Sequence, residues 1–271
     1  MNDNAELYHK GNNLQRNAAI QCLEAYGPKM KWKKSGDRVI DIGCADGFVT
    51  NIIKKYMPNN FERLVGCDIH AAMVKFANNH FRNDRTSFTQ LDIEADLPDD
   101  MKGSFDHVFS FLTIHWIPNQ EKAFKNVYDL LSDDGDCLLT VLGHTPLYTA
   151  YTVLSETEKW SKWVTNLDQF VSPYHVYDEP DTYLTKVLKK IGFKQYDVRC
   201  KQKQYKYHSV QELKDAISAV NPYKMPKEVF DEFFEDYIQV VRDLKLFDQT
   251  NNNSHTITLH YNLLVIYASK S

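Results

Sequence analysis

The feature that most constrains this chain is one short segment, 39–48 (VIDIGCADGF), in which an apolar run meets small residues. The apolar part predicts a buried strand over 38–42, and Gly43 and Gly47 predict a tight turn after it. Apolar residues then recur at helical spacing through Tyr56. The whole sequence holds only 10 glycines in 271 residues, so two in one turn indicate that the backbone there needs them. A strand, a small-residue turn and a helix bring backbone N–H groups close to a polar or anionic ligand.

Strand and helix signals continue to alternate after this turn. The further predicted strands cover 63–67, 87–91, 105–111 and 137–142. A helix over 13–26, which Gly27 and Pro28 end, precedes the first strand. Strands that alternate with helices predict an α/β fold with a doubly wound, parallel sheet.

The regular alternation breaks after residue 143. The remaining predicted elements are a helix over 181–191, a strand over 194–200, two helices within 209–247 that are split at Asn221 and Pro222, and a β-rich run over 256–268. Residues 144–182 carry tryptophans and tyrosines without a clear strand.

The length of the chain fits one large domain. We predict a single domain over 1–271, with a ligand-binding core at about 30–143 and helical lid insertions at about 144–180 and 203–250. Open α/β sheets bind ligands at the carboxyl ends of their strands, so we expect the aromatic-rich insertions to form an apolar lid over that edge. A second packed layer of core is the alternative interpretation.

Composition excludes several classes of protein. The formal net charge of −4 argues against a nucleic-acid partner, which usually leaves a basic footprint. No apolar run reaches the roughly 18 residues of a membrane span, and the first residues lack a signal-peptide pattern. The five cysteines form no C-x-x-C pair, which indicates reduced thiols in a cytoplasmic protein. The ten histidines lack ligand spacing, so we predict no metal site.

An acid lies at the end of the second predicted strand. Asp68 follows the glycine turn by about 20 residues, where a carboxylate can accept two hydrogen bonds from a ribose diol. Both a dinucleotide and an adenosyl cofactor would satisfy this acid, but the dinucleotide fingerprint needs a third glycine. The turn here reads G-x-A-x-G, with Ala45 between its two glycines and Phe48 after them, which argues against a nicotinamide oxidoreductase. A turn without any ligand is the structural alternative.

These motifs together resemble those of class I S-adenosylmethionine-dependent methyltransferases. The resemblance implies a Rossmann-like sheet, mostly parallel with its last strand antiparallel, and makes 30–143 the cofactor-binding core. It also implies S-adenosylmethionine as the cofactor and S-adenosylhomocysteine as its product. The implied cofactor-binding residues are Tyr8, Asp41, Gly43, Ala45, Gly47, Asp68, Ile69, Asp92, Ile93 and Ser110. Among them, the resemblance gives Asp92 to the adenine amino group and Ile93 to the face of the adenine ring.

Two other segments resemble small-molecule carboxyl methyltransferases. They are 7–15, with its order of tyrosine, asparagine and glutamine, and 110–116, which ends the fourth predicted strand. The resemblance implies that Gln15 and Trp116 hold the substrate carboxylate, with His115 as a third candidate catalytic residue. The segment lacks the Asn/Asp-Pro-Pro-Tyr motif of enzymes that methylate adenine or glutamine. The chain also resembles insect enzymes that methylate isoprenoid acids, which implies juvenile hormone acid or farnesoic acid as the substrate.

The side chains of Gln15, Trp116 and His115 suit the formation of a methyl ester from a carboxylate. A carboxylate, with a reference pKa of about 4.3, is already ionised at neutral pH and needs no general base. The amide of Gln15 and the indole of Trp116 are neutral donors that can hold this carboxylate without placing a cation beside a sulfonium. We expect them to contribute orientation and affinity, while His115 acts as a base or only as a positioning group.

Other functions stay open at this stage. A methyltransferase for an amine or a quinone-like carbon would need a base or a different anchor. A non-catalytic adenosyl-binding protein or regulatory partner would bind the cofactor without turnover. Gln15 could also be a helix-surface residue, and Trp116 part of the core. The sequence leaves the oligomeric state undecided, with a homodimer as one option.

Overall fold

The computed structural model describes residues 4–249 and 256–271, which contain eight strands. The strands are β1 (Arg38–Ile42), β2 (Arg63–Asp68), β3 (Thr86–Gln90), β4 (Phe105–Phe111), β5 (Leu131–Leu142), β6 (Gln195–Tyr207), β7 (Asp248–Gln249) and β8 (Ile257–Ser269). They form one sheet in the order β3-β2-β1-β4-β5-β8-β6, and the short β7 pairs with β8. Two parts of the predicted organisation lie outside the described residues. They are residues 1–3, at the start of the predicted domain, and residue 250, the predicted end of the second insertion.

Neighbouring strands from β3 to β5 pair in parallel, and β8 runs antiparallel to both β5 and β6. This confirms the predicted doubly wound sheet with an antiparallel last strand. Every residue of the central strand β4 is buried, as expected for a strand that helices cover on both faces.

Helices cover both faces of this sheet. The helices are α1 (Ala5–Gly11), α2 (Asn13–Tyr26), α3 (Phe48–Ile53), α4 (Ala71–Phe81), α5 (Gln120–Leu130), α6 (Pro146–Ser155), α7 (Pro180–Ile191), α8 (Val210–Val220) and α9 (Lys227–Asp243). One large apolar cluster joins α2, α3, α6, α8 and α9 to one face of the sheet, and a second joins α5 and α7 to the other face. Among the described residues, no helix is both long enough and apolar enough to cross a membrane.

Several elements differ from the sequence-based prediction. β5 begins at Leu131 rather than at 137, and β6 continues to Tyr207 rather than ending at 200, so 203–207 belong to a strand. The helix α6 lies within 144–180, where a helical insertion was predicted without bounds for its helices. By contrast, α2 has the predicted bounds, and α8 ends immediately before the predicted break at Asn221. The division into a core and lid insertions stays a prediction.

Candidate active site

The turn after β1 has an unusual backbone. Gly43, Ala45 and Gly47 have φ angles of +71°, +45° and +79°. The N–H of Gly43 donates to the carbonyl of Cys67 at 2.7 Å, which ties the turn to the end of β2. A Cβ atom at Gly43 would lie 2.1 Å from Cγ2 of Thr113, so only glycine fits there. The turn therefore brings its backbone close to the carboxyl ends of β1, β2 and β4.

Asp68 ends β2 in a fixed orientation. Its Oδ2 accepts a hydrogen bond from the backbone N–H of Ala45 at 3.0 Å. Its Oδ1 accepts one from the backbone N–H of His70 at 2.9 Å. Because each carboxylate oxygen can accept more than one hydrogen bond, Asp68 keeps acceptor capacity for a ligand.

One cavity, the cofactor cavity, lies against this turn and encloses about 1080 Å³ of space that includes open solvent. Seven of the ten predicted cofactor-binding residues line it: Tyr8, Gly43, Ala45, Asp68, Ile69, Asp92 and Ile93. The Ile69 side chain is 52% exposed, and Asp92 is also exposed. A flat apolar surface and a carboxylate at the same edge can hold a ring that carries an amino group.

The other three predicted residues lie behind the cavity wall. Asp41 is buried and accepts a hydrogen bond from Oγ1 of Thr50 at 2.6 Å, and burial raises the pKa of Asp41 to about 7. The hydroxyl of Ser110 donates to the carbonyl of Ile42 at 2.9 Å. Gly47 is the N-cap residue of α3, and a Cβ atom there would lie 2.7 Å from Cβ of Ala77. These three residues do not line the cavity, and their part in binding the cofactor stays a prediction.

A second cavity, the apolar cavity, encloses about 950 Å³ of space that includes open solvent. All three predicted catalytic residues, Gln15, His115 and Trp116, line it. Most of the remaining wall is aliphatic or aromatic, and half of it comes from α6, α8, β6 and β8. Four described side chains line both cavities: Tyr8, Leu112, Trp116 and Phe170. A ligand in one cavity would therefore lie next to a ligand in the other.

Few polar groups line the apolar cavity. Gln15 is half-buried on α2, and its Oε1 is buried with no hydrogen-bond partner among the described residues. Trp116 ends the short 3₁₀ turn Ile114–Trp116 that follows β4. Its indole carries one N–H donor, and the Gln15 amide carries two. The structure thus brings together two neutral donor groups from segments that are far apart in the sequence.

The environment of His115 determines its protonation. The ring is 4% exposed, and its Nδ1 accepts a hydrogen bond from the backbone N–H of Leu142 at 3.3 Å. Burial lowers the pKa of His115 to about 3, so the ring is neutral at physiological pH. Because Nδ1 accepts a hydrogen bond, the ring proton lies on Nε2. His115 is therefore suited to donate a hydrogen bond rather than to take a proton.

Asp46, within the turn, fixes the N-terminal helices over the two cavities. Its Oδ2 accepts a hydrogen bond from Arg16 at 2.9 Å and one from Asn12 at 3.4 Å, and lies 2.6 Å from Nδ1 of His9. Sequence reasoning missed this anchor and the helix α1 that it holds. It also missed Leu112, whose φ of +52° at the junction of the cavities has no signature in the sequence.

The comparisons with known proteins agree with this architecture. A family described as a methyltransferase domain matches residues 33–214. The juvenile hormone acid O-methyltransferase of Bombyx mori is 51% identical over 271 residues, covering 99% of this chain and 98% of the relative. The enzyme of the same name from Drosophila melanogaster is 35% identical over 274 residues, covering 98% of this chain and 92% of the relative.

The comparison with solved structures concerns the fold alone. The YcgJ protein of Bacillus subtilis matches with a TM-score of 0.61 and 18% identity, over 93% of this chain and 98% of that one. Taken with the near full-length match to the two insect relatives, the domain match means that this chain belongs to the methyltransferase family and, within it, to the juvenile hormone acid O-methyltransferases.

Proposed function

We propose that this chain transfers a methyl group from S-adenosylmethionine to the carboxylate of a lipophilic acid, juvenile hormone acid or farnesoic acid. The observation that carries the proposal is the shared wall of the two cavities, where Tyr8, Leu112, Trp116 and Phe170 border both. One cavity has an acid-lined edge that suits a nucleoside, and the other is mostly apolar. The names of the two insect relatives support this choice of substrate.

The residues of the cofactor cavity fit S-adenosylmethionine. Gly43 has no side chain, so the cofactor can approach its backbone closely. A Cβ atom at this position would collide with Thr113. Asp68 offers acceptor oxygens to the ribose hydroxyls, and Asp92 offers them to the adenine amino group. When bound, the cofactor supplies an electrophilic methyl group on a sulfonium.

Polar residues in the wall of the apolar cavity orient the acid. Its carboxylate is ionised at neutral pH, so no side chain has to remove a proton. Gln15, Trp116 and Nε2 of His115 supply neutral N–H donors that hold the two carboxylate oxygens. Reaction requires the attacking oxygen about 3–3.5 Å from the methyl carbon and in line with the bond that breaks, which makes orientation their main contribution.

The apolar cavity accounts for the preference for a lipophilic acid. Aliphatic and aromatic side chains make up most of its wall. Removing the tail of the acid from water stabilises the complex by about 25 cal/mol per Å² of apolar surface. A filled cavity also excludes water, which favours a reaction in which opposite charges disappear.

The state of His115 disfavours an amine or a carbon acceptor. Such an acceptor has a proton to lose, and a general base works best with a pKa near the working pH. The pKa of His115 lies at about 3, and its Nδ1 is already bonded to Leu142. No such base is needed for an acid.

Mass spectrometry of reaction products tests the proposal. The 271-residue chain is incubated with labelled S-adenosylmethionine and either farnesoic acid, juvenile hormone acid or the amide of each acid, which keeps the tail but lacks the charge. We expect labelled methyl esters from the acids and no product from the amides. Cofactor binding without any ester would support the non-catalytic adenosyl-binding protein, and methylation of an amine panel would support the other acceptor.

We also propose that the enzyme acts in the cytoplasm. All five cysteines are free thiols, four of them buried and Cys200 exposed, which suits a reducing compartment. Cell fractionation tests this proposal. A homodimer stays a prediction, and light scattering of the purified chain would decide it.

A further inference from the structure

Tyr223 lies in the wall of the apolar cavity, and its hydroxyl is not among the groups that hold the carboxylate in the proposed function. Tyr223 lines this cavity, and its Oη is buried with no hydrogen-bond partner in the described part of the chain. Burial, and then the charge of Asp168, raise the pKa of Tyr223 to about 12, so the phenol keeps its proton. A buried hydroxyl without a partner is unfavourable, and native proteins rarely keep one without a reason.

The surrounding structure holds Tyr223 in place. Oδ1 of Asn221 accepts a hydrogen bond from the backbone N–H of Tyr223 at 3.2 Å and one from the hydroxyl of Tyr151 at 3.3 Å. Nδ2 of Asn221 donates to the carbonyl of Tyr223 at 3.2 Å. The Tyr223 ring also packs edge-on against Phe170, with 5.4 Å between the ring centroids. The unpaired hydroxyl is therefore attached to a well-positioned ring.

We propose that the Tyr223 hydroxyl determines substrate specificity by donating a hydrogen bond to an acceptor oxygen, an ether or an epoxide, on the chain of the acid away from its carboxylate. The inference rests on the proposed function and adds the substrate feature that the apolar wall alone cannot recognise. A pure hydrocarbon chain would leave the hydroxyl unpaired, whereas an oxygen within reach would satisfy it. A site that hydrogen-bonds a substrate atom discriminates strongly against the analogue that lacks this atom.

Two other tyrosines allow the assignment to be tested. Tyr148 also lines the apolar cavity and carries a buried hydroxyl, so it is the competing candidate. Tyr237 has the same kind of hydroxyl, but its ring packs against Tyr151 and Phe233 behind the cavity wall. Tyr237→Phe is therefore the matched control, since it removes an equivalent oxygen away from the substrate.

The experiment compares farnesoic acid with the same acid carrying a terminal epoxide. We expect kcat/KM of the unchanged enzyme to favour the epoxide by about tenfold. Tyr223→Phe should lose this preference by lowering kcat/KM for the epoxide while leaving that for farnesoic acid equal or higher. Tyr237→Phe should keep the preference. Thermal unfolding of all variants checks the fold, and removing an unpaired hydroxyl should not lower the melting temperature.

The possible outcomes separate the two proposals. Equal kcat/KM for both acids in the unchanged enzyme, or an equal loss for both in Tyr223→Phe, overturns the role of Tyr223 while ester formation upholds the proposed function. Loss of the preference in Tyr148→Phe but not in Tyr223→Phe also overturns it. If neither acid is esterified, the proposed function fails, and the role of Tyr223 falls with it.

Discussion

The backbone N–H of Leu142 donates a hydrogen bond to Nδ1 of His115 at 3.3 Å. This bond links the end of β5 to the turn after β4 and fixes the tautomer of the ring. Since burial lowers the pKa of His115 to about 3, the ring stays neutral and presents only its Nε2–H. We therefore expect His115, which the sequence offers as a base or a positioning group, to act as a hydrogen-bond donor.

The pH dependence of the reaction tests this conclusion. Because His115 stays deprotonated far below neutrality and the substrate is ionised above about pH 5, kcat/KM should be flat from about pH 6 to 8. The measurement is initial rates of ester formation at low acid concentration across that range. A rise with an apparent pKa near 6.5 would contradict the neutral, donating ring.

Replacing Gln15 tests its contact with the carboxylate. Gln15→Glu keeps the shape of the side chain but places a negative charge where the acid must bind. We expect kcat/KM for the acid to fall by about a hundredfold or more. Gln15 lines only the apolar cavity, so calorimetry should show unchanged affinity for S-adenosylhomocysteine. Gln21→Glu, an exposed position on the same helix, is the control and should change neither quantity. Lost binding of the product cofactor in Gln15→Glu would remove this residue from the substrate role.

Trp116 requires a subtler substitution because it borders both cavities. Trp116→Phe keeps an aromatic wall and removes the N–H donor, so kcat/KM for the acid should fall by about tenfold with little change in cofactor affinity. Trp116→Ala should weaken both, since it opens the wall between the cavities. If Trp116→Phe retains full activity, the indole N–H does not hold the acid.

Alanine substitutions at two glycines with similar backbone angles distinguish the cost of backbone strain from the cost of a steric clash. Gly43 and Gly36 have φ angles of +71° and +80°. A Cβ atom at Gly43 would lie 2.1 Å from the Thr113 side chain, whereas a Cβ atom at Gly36 would have no neighbouring atom within 4 Å. Urea unfolding should show a loss of about 1–2 kcal/mol for Gly36→Ala, from strain alone. Gly43→Ala should lose about 3 kcal/mol or more and also bind S-adenosylhomocysteine less well. Equal losses would mean that the turn can move away from Thr113.

Much of the fold follows from local patterns. The helix α2 was predicted with its observed bounds because its apolar face ends at Gly27 and Pro28. The start of β5 was not, because Leu131–Asp136 contains Ser-Asp-Asp-Gly, which is typical of a turn. In the structure this stretch pairs with β4 across a register irregularity. β6 extends to Tyr207 because it pairs with β8 along its whole length, although its outer half is rich in lysine and glutamine.

The site was less predictable than the sheet. The turn and the acids of the cofactor cavity have recognisable spacing, since each follows a strand whose end lies at the same edge. Gln15 and Trp116 came from a resemblance, because no local pattern predicts that α2 and the turn after β4 border one cavity. The positive φ of Leu112 and the anchor at Asp46 depend on tertiary contacts, which sequence periodicity does not show.

A buried charged cluster lies within the sheet, apart from the cavities. Nε2 of His107, on β4, lies 2.9 Å from Oδ1 of Asp37, and its Nδ1 lies 2.6 Å from Oδ1 of Asp136. All three side chains are almost completely buried. Burial alone would lower the pKa of His107, but the hydrogen bonds and charges of Asp136 and Asp37 raise it above its usual value. Both ring nitrogens then donate, so the protonated form is the stabilising one.

Substituting His107 should therefore change stability in a pH-dependent way. Because the pKa of His107 is higher in the folded state, its contribution is complete below about pH 6.5 and is lost as pH rises through the folded value. His107→Gln leaves two buried carboxylates without a cation and should lower the free energy of unfolding by about 3–5 kcal/mol at pH 6. Urea unfolding at pH 6 and pH 9 should show this difference shrinking at the higher pH. Taking the difference between the two proteins cancels other groups such as Asp41, whose raised pKa of about 7 also makes stability fall as pH increases. A difference that stayed constant across this range would mean that His107 does not change its charge, and that its two contacts act as ordinary hydrogen bonds.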